Sequence, residues 1–222
     1  MTASSHQLQQ LNQALFYGIL DTGYVSPQNW ISKFDGLHQG GAKIIQIRAI
    51  GKSQNETREL IKRVLQRNDE LPSHTRPIII INDDLDLCLK YESVGLHIEQ
   101  EDTPVAEARK ALGPDRILGL STTSTDQARR AMDRGPQALS YFSVGPSFAS
   151  QTKPDVTPVG LKLAQWVADQ APELPFYCIG GINRKNAQSV RATGATRIVT
   201  VSDVLLAEDT KKAVQETIEA IA

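Results

Sequence analysis

Eight short apolar runs recur along the chain at near-regular intervals: Phe16 to Leu20, Lys43 to Ile47, Pro77 to Ile81, Val94 to Ile98, Ile117 to Leu120, Leu139 to Val144, Phe176 to Ile179 and Arg197 to Val201. They are often β-branched and mostly unbroken by polar alternation, the pattern of parallel strands buried on both faces. Between them lie stripes of helical spacing: Trp30, Phe34 and Leu37; Leu60, Val64 and Leu65; Val105, Ala108 and Leu112; Ala128 and Ala131; Leu161, Ala164 and Val167; Ala187 and Val190. A last helix carries Val204, Ala213, Ile218 and Ile221. Each segment is long enough for a crossover helix, and no gap is long enough for a separate domain. Strand–helix units without linkers predict a closed (β/α)8 TIM barrel, a single domain over residues 1–222 with 1–14 as an N-terminal extension. An open doubly wound sheet uses the same units, but no GxGxxG follows the first strand.

Helix starts are marked by their own chemistry. Ser26-Pro27 precedes the first, and Ser53 stands three residues before Glu56 as a capping box. Asp102-Thr103-Pro104 opens another, with proline suited to a first turn, and Asn183 follows a Gly-Gly turn. The chain has 222 residues, 40% of them hydrophobic, and a net charge of −1, a balance that argues against nucleic acid or an acidic membrane as partner. No apolar run approaches the roughly 20 residues of a membrane span. The polar N-terminus lacks the apolar centre of a signal peptide, so a cytoplasmic protein is expected. Cys88 and Cys178, far apart in apolar surroundings, read as buried thiols of a reducing compartment.

Barrel chemistry sits where the strands end. The residues at or just beyond the ends of the successive runs are Gln46, Arg48 and Lys52; Asn82, Asp83 and Asp84; His97 and Glu99 to Asp102; Ser121, Thr122 and Thr123; Ser150, Thr152 and Lys153; Gly180 and Gly181; and Ser202. Carboxylates on adjacent loops, joined by phosphate oxygens and water, suit Mg²⁺, a hard cation that prefers oxygen. Free backbone N–H groups, hydroxyls and a lysine suit phosphate. Gly180-Gly181, with Ser202 after the next strand, matches the phosphate pocket that barrels form after strands seven and eight. The competing assignments are structural: Asn82-Asp83-Asp84 as a helix cap, Glu99 to Asp102 as a solvated acidic loop, and His97 as a structural strand end. No Ser–His–acid set, Cys–His pair or zinc ligand set is apparent. The partners so implied are small phosphorylated molecules.

Ordered along nearly the whole chain, from Tyr17 to the last helix, are Gln46-Ile47-Arg48, Asn82-Asp83, Gly95-Leu96-His97-Ile98-Glu99-Gln100-Glu101-Asp102, Gly119-Leu120-Ser121, Gly145-Pro146 through Thr152-Lys153, Ile179-Gly180-Gly181-Ile182 and Val201-Ser202. This series resembles the thiamine phosphate synthases and their relatives, the thiazole tautomerases. The resemblance implies a Mg²⁺-dependent transferase of thiamine biosynthesis. It would couple hydroxymethylpyrimidine pyrophosphate to hydroxyethylthiazole phosphate with loss of pyrophosphate. It further implies that Asp83 and Asp102 ligate the metal, and that Arg48, Asn82, Ser121 and Lys153 hold the leaving pyrophosphate as the catalytic set. Ser150, Thr152, Gly181, Val201 and Ser202 would hold the thiazole phosphate, with Gln46 between the two substrates. Both a monomer and a homodimer are compatible with it.

Departures from the family pattern set up the alternatives. Ile50 stands where the synthases usually have lysine, with Lys52 two residues on; Glu99 stands for glycine, Thr123 for a frequent histidine, and Ser150 for threonine. Asp203 puts negative charge beside a presumed phosphate, or else favours a helix dipole. A thiazole tautomerase would want a proton-transfer residue where Thr122 and Thr123 lie. A non-catalytic binder of thiazole or thiamine phosphate would keep the monophosphate half and lose the pyrophosphate half. Ala49 to Asn55 is a candidate lid, with Gly51 as hinge.

Overall fold

Alternate residues of most of the apolar runs are claimed by two different cores, which is why those runs show little polar alternation. In the computed structural model, which describes residues 5–152 and 155–222, the runs form strands β1 (Phe16–Asp21), β2 (Ile44–Arg48), β3 (Ile78–Asn82), β4 (Gly95–Ile98), β5 (Leu118–Thr122), β6 (Tyr141–Val144), β7 (Phe176–Cys178) and β8 (Ile198–Thr200). All pair in parallel and in chain order, and β8 returns to β1, closing the expected (β/α)8 barrel. Phe16, Leu20, Ile45, Ile47, Ile79 and Ile81 face outward into a core shared with the helices. Tyr17, Ile19, Ile44, Ile78, Ile80, Tyr141, Tyr177 and Val199 face the barrel axis.

The outer layer is built from α2 (Trp30–Gly40), α3 (Gln54–Glu70), α4 (Leu85–Cys88), α5 (Val105–Leu112), α6 (Thr125–Ala138), α7 (Leu161–Asp169), α8 (Ala187–Arg191), α9 (Ser202–Leu205) and α10 (Thr210–Ile221). The apolar stripes read from the sequence all face this core, with Leu65, Leu161 and Ile218 only partly buried. The capping box forms: Ser53 Oγ accepts from Glu56 N, and Glu56 accepts from Ser53 N at 3.0 Å. Two expected helix limits move. The last helix is two, because Asp209 caps a fresh start by accepting from Lys212 N at 2.9 Å. Asn183 organises a turn ahead of α8 rather than its first residue, accepting from Lys185 N at 2.9 Å while its own N–H donates to Asn186.

The N-terminal extension holds a helix that its polar composition conceals, α1 (Ser5–Gln13). Leu11 and Ala14, each 1% exposed, enter the axial core at the end where the strands begin. Tyr177 Oη donates to Leu11 O at 2.7 Å, Arg197 Nη2 to Asn12 O at 2.7 Å, and Gln10 Nε2 to Arg76 O at 2.8 Å. The exposed helix ends and the barrel floor thus satisfy one another's polar groups.

Three tyrosines fill the axis above this plug. Tyr17, Tyr141 and Tyr177 meet pairwise edge to face, with centroids 5.5–5.7 Å apart. Gly119 gives Tyr141 its room, since a Cβ there would fall 2.1 Å from the Tyr141 ring. A Gly119→Ala variant is therefore expected to lose about 1–3 kcal/mol by overpacking, read as a lower midpoint in denaturant unfolding. Burial pushes the Cys88 thiol up to about 11 and Cys178 up to about 12. Neither is then a thiolate at pH 8, and a thiol reagent should label neither in the native protein and both after unfolding.

Candidate active site

Period-two alternation delivers the polar residues as well. In β2, Ile44 faces the axis, so Gln46 and Arg48 do too; in β3, Ile78 and Ile80 are followed on the same face by Asn82. By the same alternation His97 on β4, Ser121 on β5, Ser143 on β6 and Val201 after β8 turn inward at the C-terminal rim. There they line one open cavity of about 960 Å³. Its wall includes Gln46, Arg48, Asn82, Ser121, Ser150, Thr152, Gly181, Val201 and Ser202, so residues expected for either substrate line one space. Lys153 lies outside the described residues.

Asn82-Asp83-Asp84 divides its labour. Asp84 caps α4, accepting from Leu87 N at 2.8 Å, so the structural assignment holds for that residue. Asp83 holds φ 62, a left-handed conformation uncommon outside glycine, and its N–H donates to His97 O at 2.8 Å. Its carboxylate accepts from Asn82 Nδ2. Asp102 accepts from Glu99 N at 2.7 Å. Asp83 through its backbone N–H and Asp102 through its carboxylate are thereby tied to the His97–Glu99 segment, though neither residue is on the cavity wall itself.

Arg48 is held by a partner the sequence did not reveal. Asp21, ending β1 and 1% exposed, receives Arg48 Nη1 at 2.6 Å and Gly23 N at 2.7 Å. The strand register sets Asp21 opposite Arg48. Tyr24, equally unforeseen, bonds through its Oη to Thr152 Oγ1 at 3.0 Å, tying the β6–α7 loop to the β1 loop. The signal for both was present only as position: they follow the first strand at the functional rim.

At the other end of the cavity Gly180 and Gly181 hold φ 96 and 63. A Cβ on Gly180 would lie 2.4 Å from Pro146, and one on Gly181 2.3 Å from Ala149 O. Glycine is required here on both conformational and steric grounds. Thr152 N donates to Ser150 Oγ at 3.1 Å, shaping the facing loop. Asp203 does not confront this region with an unmatched charge: Arg184 Nε reaches it at 3.1 Å, and Arg184 Nη1 reaches Glu216 at 2.7 Å.

The departures also take definite positions. Ile50 is 56% exposed, and Lys52 lies 3.7 Å from Glu56; neither is on the cavity wall. Gly51 holds φ 72 with open space around it. Glu99 and Thr123 do line the cavity, and Thr123 gives its N–H and its hydroxyl to Gln127.

The family described as thiamine monophosphate synthase matches residues 16–204. A thiamine-phosphate synthase of Caldicellulosiruptor bescii is 34% identical over 210 residues, 94% of this chain and 92% of its own. One from Halalkalibacterium halodurans is 39% identical over 178 residues, 78% of each. Among solved structures, a thiamine phosphate pyrophosphorylase from Pyrococcus furiosus aligns with a TM-score of 0.80 at 27% identity, over 96% of both chains.

Replacing Asp21 by Asn removes the buried counter-charge of Arg48. The expected loss is about 1–3 kcal/mol of stability, measured by denaturant unfolding, with weaker binding of inorganic pyrophosphate by calorimetry as Arg48 loses its fixed direction.

Proposed function

The chain belongs to the thiamine monophosphate synthase family, whose members are transferases, and we propose that it couples hydroxymethylpyrimidine pyrophosphate to hydroxyethylthiazole phosphate. The observation that carries this reading is that residues for both anionic substrates line a single cavity. Gln46, Arg48, Asn82 and Ser121 come from strands two, three and five, and Ser150, Thr152, Gly181, Val201 and Ser202 from the loops after strands six to eight.

The reaction breaks the bond between the pyrimidine methylene carbon and the pyrophosphate oxygen, and forms one from that carbon to the thiazole nitrogen. The electron pair leaves with pyrophosphate, so negative charge grows on the leaving group and positive charge on the methylene. Such a step asks for preorganised donors at the leaving group rather than a strong base. Arg48, fixed by Asp21, with Asn82, Ser121 and Lys153, serves that end. Ser150, Thr152 and the backbone at Gly181, Val201 and Ser202 hold the thiazole phosphate and aim its ring nitrogen.

Asp83 and Asp102 would hold Mg²⁺. The donor set fits: both residues carry carboxylates and both bond the one His97–Glu99 segment, Asp83 through its N–H and Asp102 through its side chain, and Mg²⁺ usually takes only one or two carboxylates, completing its shell with water and substrate phosphate. Among the described residues no cluster of three or more His, Cys, Asp or Glu could hold a metal by itself, so this reading needs ligands from substrate and water. When bound, Mg²⁺ neutralises charge on the pyrophosphate.

A second reading has one observation in its favour. Ile50 and Lys52 add no cation to the cavity wall while Glu99 adds a carboxylate, which fits a protein that binds thiazole phosphate without turnover. Thiochrome fluorescence of the mixed substrates with Mg²⁺ separates the two. The synthase reading expects chelator-sensitive product, reduced at least about 100-fold in Asp83→Ala. Turnover only in Ile50→Lys, or in neither protein, would favour the binder.

A further inference from the structure

A continuous line of polar groups crosses the barrel beneath the cavity floor. Gln46 Nε2 donates to Tyr17 Oη at 3.0 Å, and Tyr17 Oη lies 2.9 Å from Tyr141 Oη. Tyr141 Oη lies 2.9 Å from His97 Nδ1, and His97 Nε2 lies 2.9 Å from Ser121 Oγ. Ser143 Oγ donates to Ser121 Oγ at 3.3 Å. The two tyrosines and His97 are buried, while Ser121 is open to the cavity. Burial pushes both phenols well above their ordinary range, so each keeps its hydrogen.

Hydrogen counting gives the line a direction. Tyr17 already accepts from Gln46, so its own hydrogen goes to Tyr141. Tyr141 then donates to His97 Nδ1, which must be unprotonated, and the imidazole hydrogen sits on Nε2 and points at Ser121. The opposite sense would send two hydrogens to Tyr17 Oη and leave the Tyr17 hydrogen without an acceptor at a site 1% exposed. Ser121 therefore accepts twice, from His97 and Ser143, and its single hydrogen remains for the cavity.

We infer that Tyr141 and His97 are positioning residues: Tyr141 fixes His97 as the Nε2–H tautomer, and His97 thereby makes Ser121 an obligatory hydrogen-bond donor to its ligand. The group met at Ser121 is then an acceptor, a phosphate oxygen or an unprotonated ring nitrogen, and an amino group is refused there. The identity of that ligand as the pyrimidine pyrophosphate rests on the proposed function; the direction of the relay does not.

The test begins with long-range ¹H–¹⁵N spectra of the ¹⁵N-histidine-labelled free protein, with His97 assigned by its disappearance in His97→Asn. The expected pattern is a pyridine-like Nδ1 and a pyrrole-like Nε2. Tyr17→Phe should keep that pattern, because Tyr141 still donates to Nδ1, whereas Tyr141→Phe should move both nitrogens toward averaged shifts. Tyr141→Phe should also weaken calorimetric binding of hydroxymethylpyrimidine pyrophosphate about tenfold, one hydrogen bond's worth, and change thiazole phosphate binding by less than about twofold. A protonated Nδ1 in the natural protein overturns the relay, and so does a Tyr141→Phe variant with the natural affinity for the pyrimidine. If the natural protein binds no pyrimidine pyrophosphate, only the functional reading fails, and the spectra still decide the relay.

Discussion

A closed barrel has to fill its own axis, and this one does so with tyrosines. Aliphatic side chains would have filled the space and ended there. Phenols bring hydroxyls into a volume that water does not reach, and each hydroxyl then has to find a partner. Tyr177 finds Leu11 O in the N-terminal helix, toward the barrel floor, while Tyr17 and Tyr141 find each other, Gln46 and His97, toward the cavity. Floor and cavity are thus two ends of one packing solution. Gly119 belongs to it as firmly as the rings do, because the Tyr141 ring occupies the space of its missing side chain.

Strands were legible because both faces are apolar, and the rim residues were legible because chemistry in such barrels gathers where strands end. Gln46, Arg48, Asn82 and Ser121 needed only the period of two to be placed inside. Tertiary partnership was not legible. Nothing local to Asp21 says that it will meet Arg48, which comes opposite it only when β1 and β2 align. Helix α1 was hidden for a related reason: with few apolar residues it has little stripe to read, and its place is set by main-chain carbonyls, which every sequence has. Asp203 looked like a charge beside a phosphate until Arg184 was seen against it.

Asn82-Asp83-Asp84 shows how a structural assignment can claim one residue of a motif and leave its neighbour aside. Asp84 is a cap like any other, and by starting α4 it forces the chain to turn at Asp83. The left-handed backbone there is what separates the Asp83 carboxylate from the capping role. A sequence cannot announce which of two adjacent aspartates will be which, because the difference lies in one dihedral angle.

The bond from Tyr177 to Leu11 also bears on how the chain comes to be folded. It spans 166 residues, and the one from Arg197 to Asn12 spans 185. Helix α1 is therefore anchored by residues that are made long after it. Until β7 exists those two anchors are missing and only Gln10 has its partners, and making the later bonds means closing loops of well over a hundred residues. The helix is thus among the last elements to settle, and the barrel is sealed at its floor only after Tyr177 and Arg197 have been made.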